Sequence, residues 1–187
     1  ARHRYVSLVG GSPEDALRER WKVRLYAVEG GDRPYWLLDL EVDQEAATAD
    51  PLILPTYHYG GVALRGRDDW YGAENAEFLT SEGHDRLAGN ETRARWTHLG
   101  GSADGDLRGI AVLSHKDNFR HPEPVRLHPN EPYFSWTPSQ LGEWEIRPGE
   151  PHRVRYRYVV HDGEVDPAEL DRLWVDFVEP PVVTVSR

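Results

Sequence analysis

Apolar and polar residues alternate with a period of two in several stretches of the chain. Across residues 20–28, Trp21, Val23, Leu25 and Ala27 fall on one side and Arg20, Lys22, Arg24 and Tyr26 on the other. Residues 35–43 repeat the pattern, with Trp36, Leu38, Leu40 and Val42 opposed to Asp39, Glu41 and Asp43. Successive side chains of a strand point to opposite faces, so both stretches predict half-buried strands. Glu29-Gly30-Gly31-Asp32-Arg33-Pro34 between them predicts a turn. A basic outer face followed by an acidic one predicts an antiparallel hairpin with cross-strand ion pairs. Its apolar face (Trp21, Val23, Leu25, Trp36, Leu38, Leu40) is then expected to be buried. Residues 152–161 alternate most regularly, with Val154, Tyr156, Tyr158 and Val160 inward.

Weaker signals place strands at Arg4–Val9, Leu52–Leu54, Glu77–Thr80, Arg93–Leu99 and Ile110–Leu113, and a last edge strand at Val182–Val185. The pair Gly60-Gly61 marks a bulge or a close backbone approach. Residues 122–140 carry five prolines and predict a long ordered loop. The period changes only near the end. Asp166-Pro167-Ala168-Glu169 has an N-cap, a proline at the first helical position and a capping-box acid. Leu170, Leu173, Trp174 and Phe177 follow at helical spacing, and Pro180-Pro181 ends the helix. Many short strands and one late helix define an all-β antiparallel sandwich with a C-terminal α-helix. The length, 187 residues, fits a single domain over 1–187.

Composition narrows the function classes. The net charge is −10, without the basic stripe of a nucleic-acid binder, and an anionic membrane would repel the chain. No apolar run is long enough to span a bilayer, and no signal-peptide pattern opens the chain, so a cytoplasmic location is expected. There are no cysteines, which removes disulfides, thiolate catalysis and Cys-type zinc sites. Trp (7) and Tyr (9) outnumber Phe (4). Aromatics with a polar handle suit sugar-binding clefts as well as cores.

The densest chemistry lies in Gly109–Pro122. A short apolar run, Ile110 to Leu113, empties into Ser114, His115, Lys116, Asp117, Asn118, Arg120 and His121. A core strand that ends in a polar loop is a common way to present functional groups, although such a loop can also be merely solvated. Histidine titrates near neutrality, so His115 and His121 are the candidate catalytic acid and base. Asn118 and Arg120 are candidates to hold substrate hydroxyls. Tyr57, His58, Arg95 and Trp96 complete the candidate substrate site, with Tyr57 and Trp96 as ring platforms. The histidine spacings match no standard metal motif, so no cofactor is expected and a metal is the lesser reading.

Four segments resemble a family of bacterial proteins known as PmoA-like and labelled methane-oxygenase-like. They are Tyr59-Gly-Gly-Val-Ala-Leu-Arg65, Thr80-Ser-Glu-Gly83, Arg93-Ala-Arg-Trp96, and Gly109 to Pro122 with His115, Asn118, Arg120 and His121. Lys116 stands where that family is expected to have proline. The resemblance implies a mutarotase-like sandwich in a setting of carbohydrate catabolism. It also implies a preceding N-terminal portion of about a hundred residues with a His-His-Arg segment. On that view 1–187 is a C-terminal fragment of a larger sandwich, partnered by the missing portion or by copies of itself. The resulting expectation is a carbohydrate-active protein that binds a sugar in a cleft, with lyase, hydrolase or epimerase chemistry carried by histidine. The alternative is a non-catalytic sugar-binding or structural subunit.

Overall fold

The computed structural model describes residues 1–28 and 35–184. The predicted hairpin is present: β2 (Glu14–Tyr26) and β3 (Tyr35–Ala46) pair antiparallel, with Trp21 opposite Val42 and Arg24 opposite Asp39. Its connecting turn, 29–34, lies outside the described residues. On the outer face Arg20 meets Asp43 at 2.5 Å and Lys22 meets Glu41 at 4.0 Å. β13 (His152–Asp162) flanks β3 on the other side. There Arg153 reaches Asp43, and Arg157 forks onto both oxygens of Asp39 at 2.7 and 2.9 Å. The acidic row of β3 is thus held between two basic rows.

The remaining strands among the described residues are β1 (Arg2–Ser7), β4 (Leu52–Leu54), β5 (Ala63–Arg65), β6 (Glu77–Thr80), β7 (Arg93–Ala94), β8 (Trp96–Ala103), β9 (Asp106–Ser114), β10 (Glu123–Leu127), β11 (Tyr133–Trp136) and β12 (Trp144–Ile146). All pair antiparallel. They form a seven-stranded sheet in the order β1-β2-β3-β13-β9-β8-β6, a four-stranded sheet β5-β11-β10-β7, and the small pair β12-β4. The β8–β9 hairpin turns on Asp104 and Gly105, both at positive φ (56° and 90°), as a two-residue turn of this hand requires.

The large sheet is covered in part on each face. Inside, Leu40, Val42, Val112, Leu99, Val154 and Tyr156 pack against Val125, Leu127, Phe134 and Trp136 of the four-stranded sheet. Outside, Leu37, Trp96, Ala111, Leu113 and Val159 receive Leu170, Leu173 and Phe177 of α1 (Pro167–Val178). The segment leading into β5 runs so close to the end of β11 that a Cβ at Gly61 would lie 2.1 Å from the Trp136 carbonyl oxygen. Glycine is therefore required, in agreement with the close approach read from the sequence.

Three expectations are corrected. First, of the six residues expected to be buried, Trp21, Val23, Leu25 and Trp36 are 38%, 55%, 63% and 68% exposed. The strands of the second sheet are too short and too few to cover the whole seven-stranded face. Second, residues 122–140 are not one loop but carry β10, β11 and a 3-10 turn at Pro138–Leu141. Their prolines mostly fall at strand ends and between strands, where no ladder N–H is needed. Third, residues 182–184 form no strand, and the final residue of that predicted segment lies outside the described residues. No helix among the described residues is long and apolar enough to cross a membrane.

Candidate functional site

The end of β9 places Ser114 on the inner face of the large sheet, paired with Tyr156 of β13. Across from it, at the start of β10, stands Glu123. Its side chain is almost fully buried, at 1% exposure. Three donors converge on its carboxyl group: Ser114 Oγ at 2.5 Å, Asn118 Nδ2 at 3.1 Å and the Tyr156 hydroxyl at 2.8 Å. Among the described residues no Lys or Arg nitrogen forms an ion pair with it. Burial pushes the Glu123 pKa up, against the downward pull of those three hydrogen bonds. The Tyr156 hydroxyl is held well above its usual range by burial and by the neighbouring acid.

From Ser114 the network continues outward. His121 Nδ1 lies 3.2 Å from Ser114 Oγ, and the imidazole stacks at 10° on the indole of Trp174, with centroids 6.0 Å apart. Trp174 of α1 is itself fixed by Nε1 donating to the Ser114 carbonyl at 2.8 Å. When Ser114 gives its proton to an ionised Glu123, its oxygen can only accept from His121. The proton then sits on Nδ1, and Nε2 keeps a free lone pair. A protonated Glu123 reverses each donor in turn and moves the imidazole proton to Nε2. The His121 pKa is lowered, by burial first and then by Arg93 and Arg95.

The other expected site residues divide between this network and the packing around it. His115 is buried under α1, edge-on to Phe177 at 4.9 Å, with Nδ1 accepting from the Asp117 amide. Burial takes its pKa down to about 4, so it is neutral at pH 7. Asn118 is a clamp: Nδ2 also donates to the Arg155 carbonyl, and Oδ1 accepts from the Arg155 amide. Arg120 directs its guanidinium at the carbonyls of Pro138, Gly142 and Glu143. Trp96 is buried beneath the helix with Nε1 donating to Asp171, while Arg95 pairs with Asp171 at 3.1 Å and lies over the Trp174 ring. Tyr57 and His58 gather instead with Tyr59 in an exposed aromatic group against the 138–142 turn.

A cleft of about 630 Å³ opens on the uncovered part of the large sheet. Trp21, Trp144, Tyr5 and Tyr158 line it, with Gln44 and His152 among them, and Glu123 and Tyr156 reach it from their buried positions. Reading the sequence passed over Glu123, Ser114, Tyr156 and Trp174. The one available signal was Pro122-Glu123-Pro124, a carboxylate pinned between prolines directly after the polar loop. Among the described residues no three His, Cys, Asp or Glu gather as metal ligands.

Fold and site together define an antiparallel β-sandwich with a buried acid, a hydroxyl and an imidazole wired around one strand end. A family model matches residues 1–175, and the chain belongs to that family, described as a family of unknown function (DUF6807). This corrects the resemblance to PmoA-like proteins, which nothing in the comparison supports. The segments that suggested it are short and rich in Gly, Arg and Pro, residue types that strand ends and turns call for in many sandwiches. No curated protein and no solved structure gives a match.

Proposed function

We propose that this protein takes a sugar or sugar derivative into the cleft and exchanges protons with it through Glu123, with His121 as the outer end of the relay. The observation that carries this reading is a buried acid without a counter-cation, placed at the cleft and joined by one hydroxyl to a half-buried histidine. An acid whose pKa is raised by burial keeps its proton to a higher pH than a free glutamate, the direction a general acid requires. Ser114 is fully buried, so it acts as a conduit and not as a nucleophile. Trp21 and Trp144 offer flat apolar surface, and Gln44 offers an amide, which suits a ring that is apolar on its faces and hydroxylated at its edge.

The test is turnover against a panel of reducing sugars and glycosides in D2O, followed by NMR for proton exchange or bond cleavage. Glu123→Gln is expected to lower kcat by about 10² to 10⁴ with little change in KM. His121→Asn is expected to slow turnover and to be partly rescued by added imidazole. Turnover that survives both substitutions overturns the reading. A second reading, sugar binding without chemistry, is favoured by the complete hydrogen bonding of Glu123, which is also how a purely structural buried acid is satisfied. On that reading Trp21→Ala or Trp144→Ala weakens binding while no substrate is turned over.

A further inference from the structure

Where β2, β3 and β13 run side by side, the outer face of the large sheet sets bases against acids. Rows run Arg20–Asp43–Arg153, Lys22–Glu41–Arg155 and Arg24–Asp39–Arg157 across β2, β3 and β13, each base facing an acid. At β1 the pattern fails, because Arg2 is opposite Arg20 and Arg4 is opposite Arg18. Like charges directly opposite each other in a sheet are destabilising. Arg4 finds Asp15 at 3.4 Å. Arg2 and Arg18 have no carboxylate within ion-pair distance among the described residues. Arg2, Arg4, Arg18, Arg20 and Arg153 line a hollow of about 530 Å³ with Glu19, Asp43 and Glu45, the last opposite Arg18 on β3, so five bases face three acids there in a protein whose net charge is −10.

Among the described residues β1 is also the end strand of its sheet, bonded to β2 alone, so one of its rows of backbone N–H and C=O groups has no strand partner there. On the inner face β1 contributes Tyr5, 48% exposed, to the cleft wall, beside His3, which pairs with Glu19 at 2.9 Å; Trp21 and Val23 of β2 continue that wall past the end of the β1 ladder. Three requirements therefore meet at one edge: backbone pairing, acids on the outer side, and apolar side chains on the inner side. We propose that β1 docks an extended segment of a partner protein in which acidic and apolar residues alternate, adding an eighth strand. A second copy of β1 does not meet the requirements, since antiparallel self-pairing sets arginine against arginine. An acidic polysaccharide would satisfy the arginines alone and leave the backbone row and the inner apolar wall unused.

The chain supplies a probe with the required pattern. The peptide Leu-Asp-Leu-Glu-Val-Asp-Gln, the sequence of residues 38–44, alternates apolar and acidic positions. Labelled and titrated with the protein at low salt, it is expected to bind, to slow amide exchange at alternate positions of Arg2–Ser7, and to release as salt rises. The double variant Arg2→Glu, Arg4→Glu, checked for an unchanged circular dichroism spectrum, is expected to bind about tenfold more weakly. The same peptide N-methylated at the amides that would face β1 is expected to lose binding. Failure of the peptide to bind overturns the proposal, as does equal binding by a scrambled peptide of the same composition. Equal binding by the N-methylated peptide, or displacement by polygalacturonate with no protection of the β1 amides, shows a polyanion site in place of a strand-docking edge and also overturns it.

Discussion

Arg120 shows how far the chemistry of a side chain is decided by what it already touches. Its φ is +64°, and its guanidinium reaches three main-chain carbonyls between Pro138 and Glu143, two of them at 2.7 Å. A lysine ammonium cannot span that set, because it lacks the planar fork. Arg120→Lys is expected to lower stability by about 1–3 kcal/mol in urea unfolding, chiefly the cost of the part-buried Pro138 and Gly142 carbonyls left without donors. Tyr57→Ala, in the exposed aromatic group, is expected to stay within about 0.5 kcal/mol. An unchanged midpoint for Arg120→Lys would free Arg120 for a ligand. The polar loop was legible in the sequence as a place where titratable groups concentrate. What was not legible is which of those groups are already satisfied. Arg120 finds its partners some twenty positions downstream, and Asn118 finds its backbone partner at Arg155, 37 positions away. Glu123 was hidden for the converse reason: its flanking prolines mark its place after the loop but not its burial without a cation.

At the level of elements, the helix was the clearest feature to read because each of its signals is local. Asp166 Oδ1 accepts from the amides of Ala168 and Glu169 at 3.1 and 3.2 Å, and Leu170, Leu173 and Phe177 are buried. Asp166→Ala is expected to cost about 1 kcal/mol, read as a lower denaturant midpoint with an unchanged slope. The same variant reports on the site, since α1 holds Trp174 against Ser114 and His121. The hairpin of β2 and β3 was equally legible in pairing and register, yet four of the six residues of its apolar face are exposed. Alternation states which side chains share a face. It does not state whether another layer is long enough to cover them, and here that layer is built from strands of two to five residues. Those short strands were the hardest to find, because prolines at 122–138 break the period that would have announced β10 and β11.

For the molecule as a whole, the pH response is shaped by buried histidines and by Glu123. His98, His115 and His152 are lowered by burial to about 3, 4 and 4. The folded state therefore binds these protons less readily than the unfolded chain, whose histidines titrate near 6.5. Their stability is fully present above about pH 6.5 and is lost as the pH falls toward 4, about 1.4 kcal/mol for each tenfold weakening of proton binding at a fully buried site such as His98. Glu123 acts in the opposite sense. Its raised pKa makes the folded state hold a proton longer, so its contribution weakens as the pH rises above the ordinary glutamate value. Urea midpoints at pH 7, 5.5 and 4 are expected to fall steadily, and Glu123→Gln is expected to improve the pH 7 midpoint relative to that at pH 5.5. A wild-type midpoint that is flat from pH 7 to 4 would show that the histidines gain protons without penalty in the folded state.

The last strand among the described residues occupies the middle of the large sheet: β13 lies between β3 and β9, and the Arg157–Asp39 fork joins residues 118 positions apart. Closing so long a loop before any contact rewards it makes folding slow, and a chain emerging from the ribosome must carry β1, β2 and β3 with an open edge until residues 152–162 have been made. The half-sheets on either side share no ladder without that strand. A nascent chain arrested anywhere short of His152 therefore presents two unfinished sheets, and the C-terminal stretch acts as the keystone whose synthesis commits the whole sandwich to its final form.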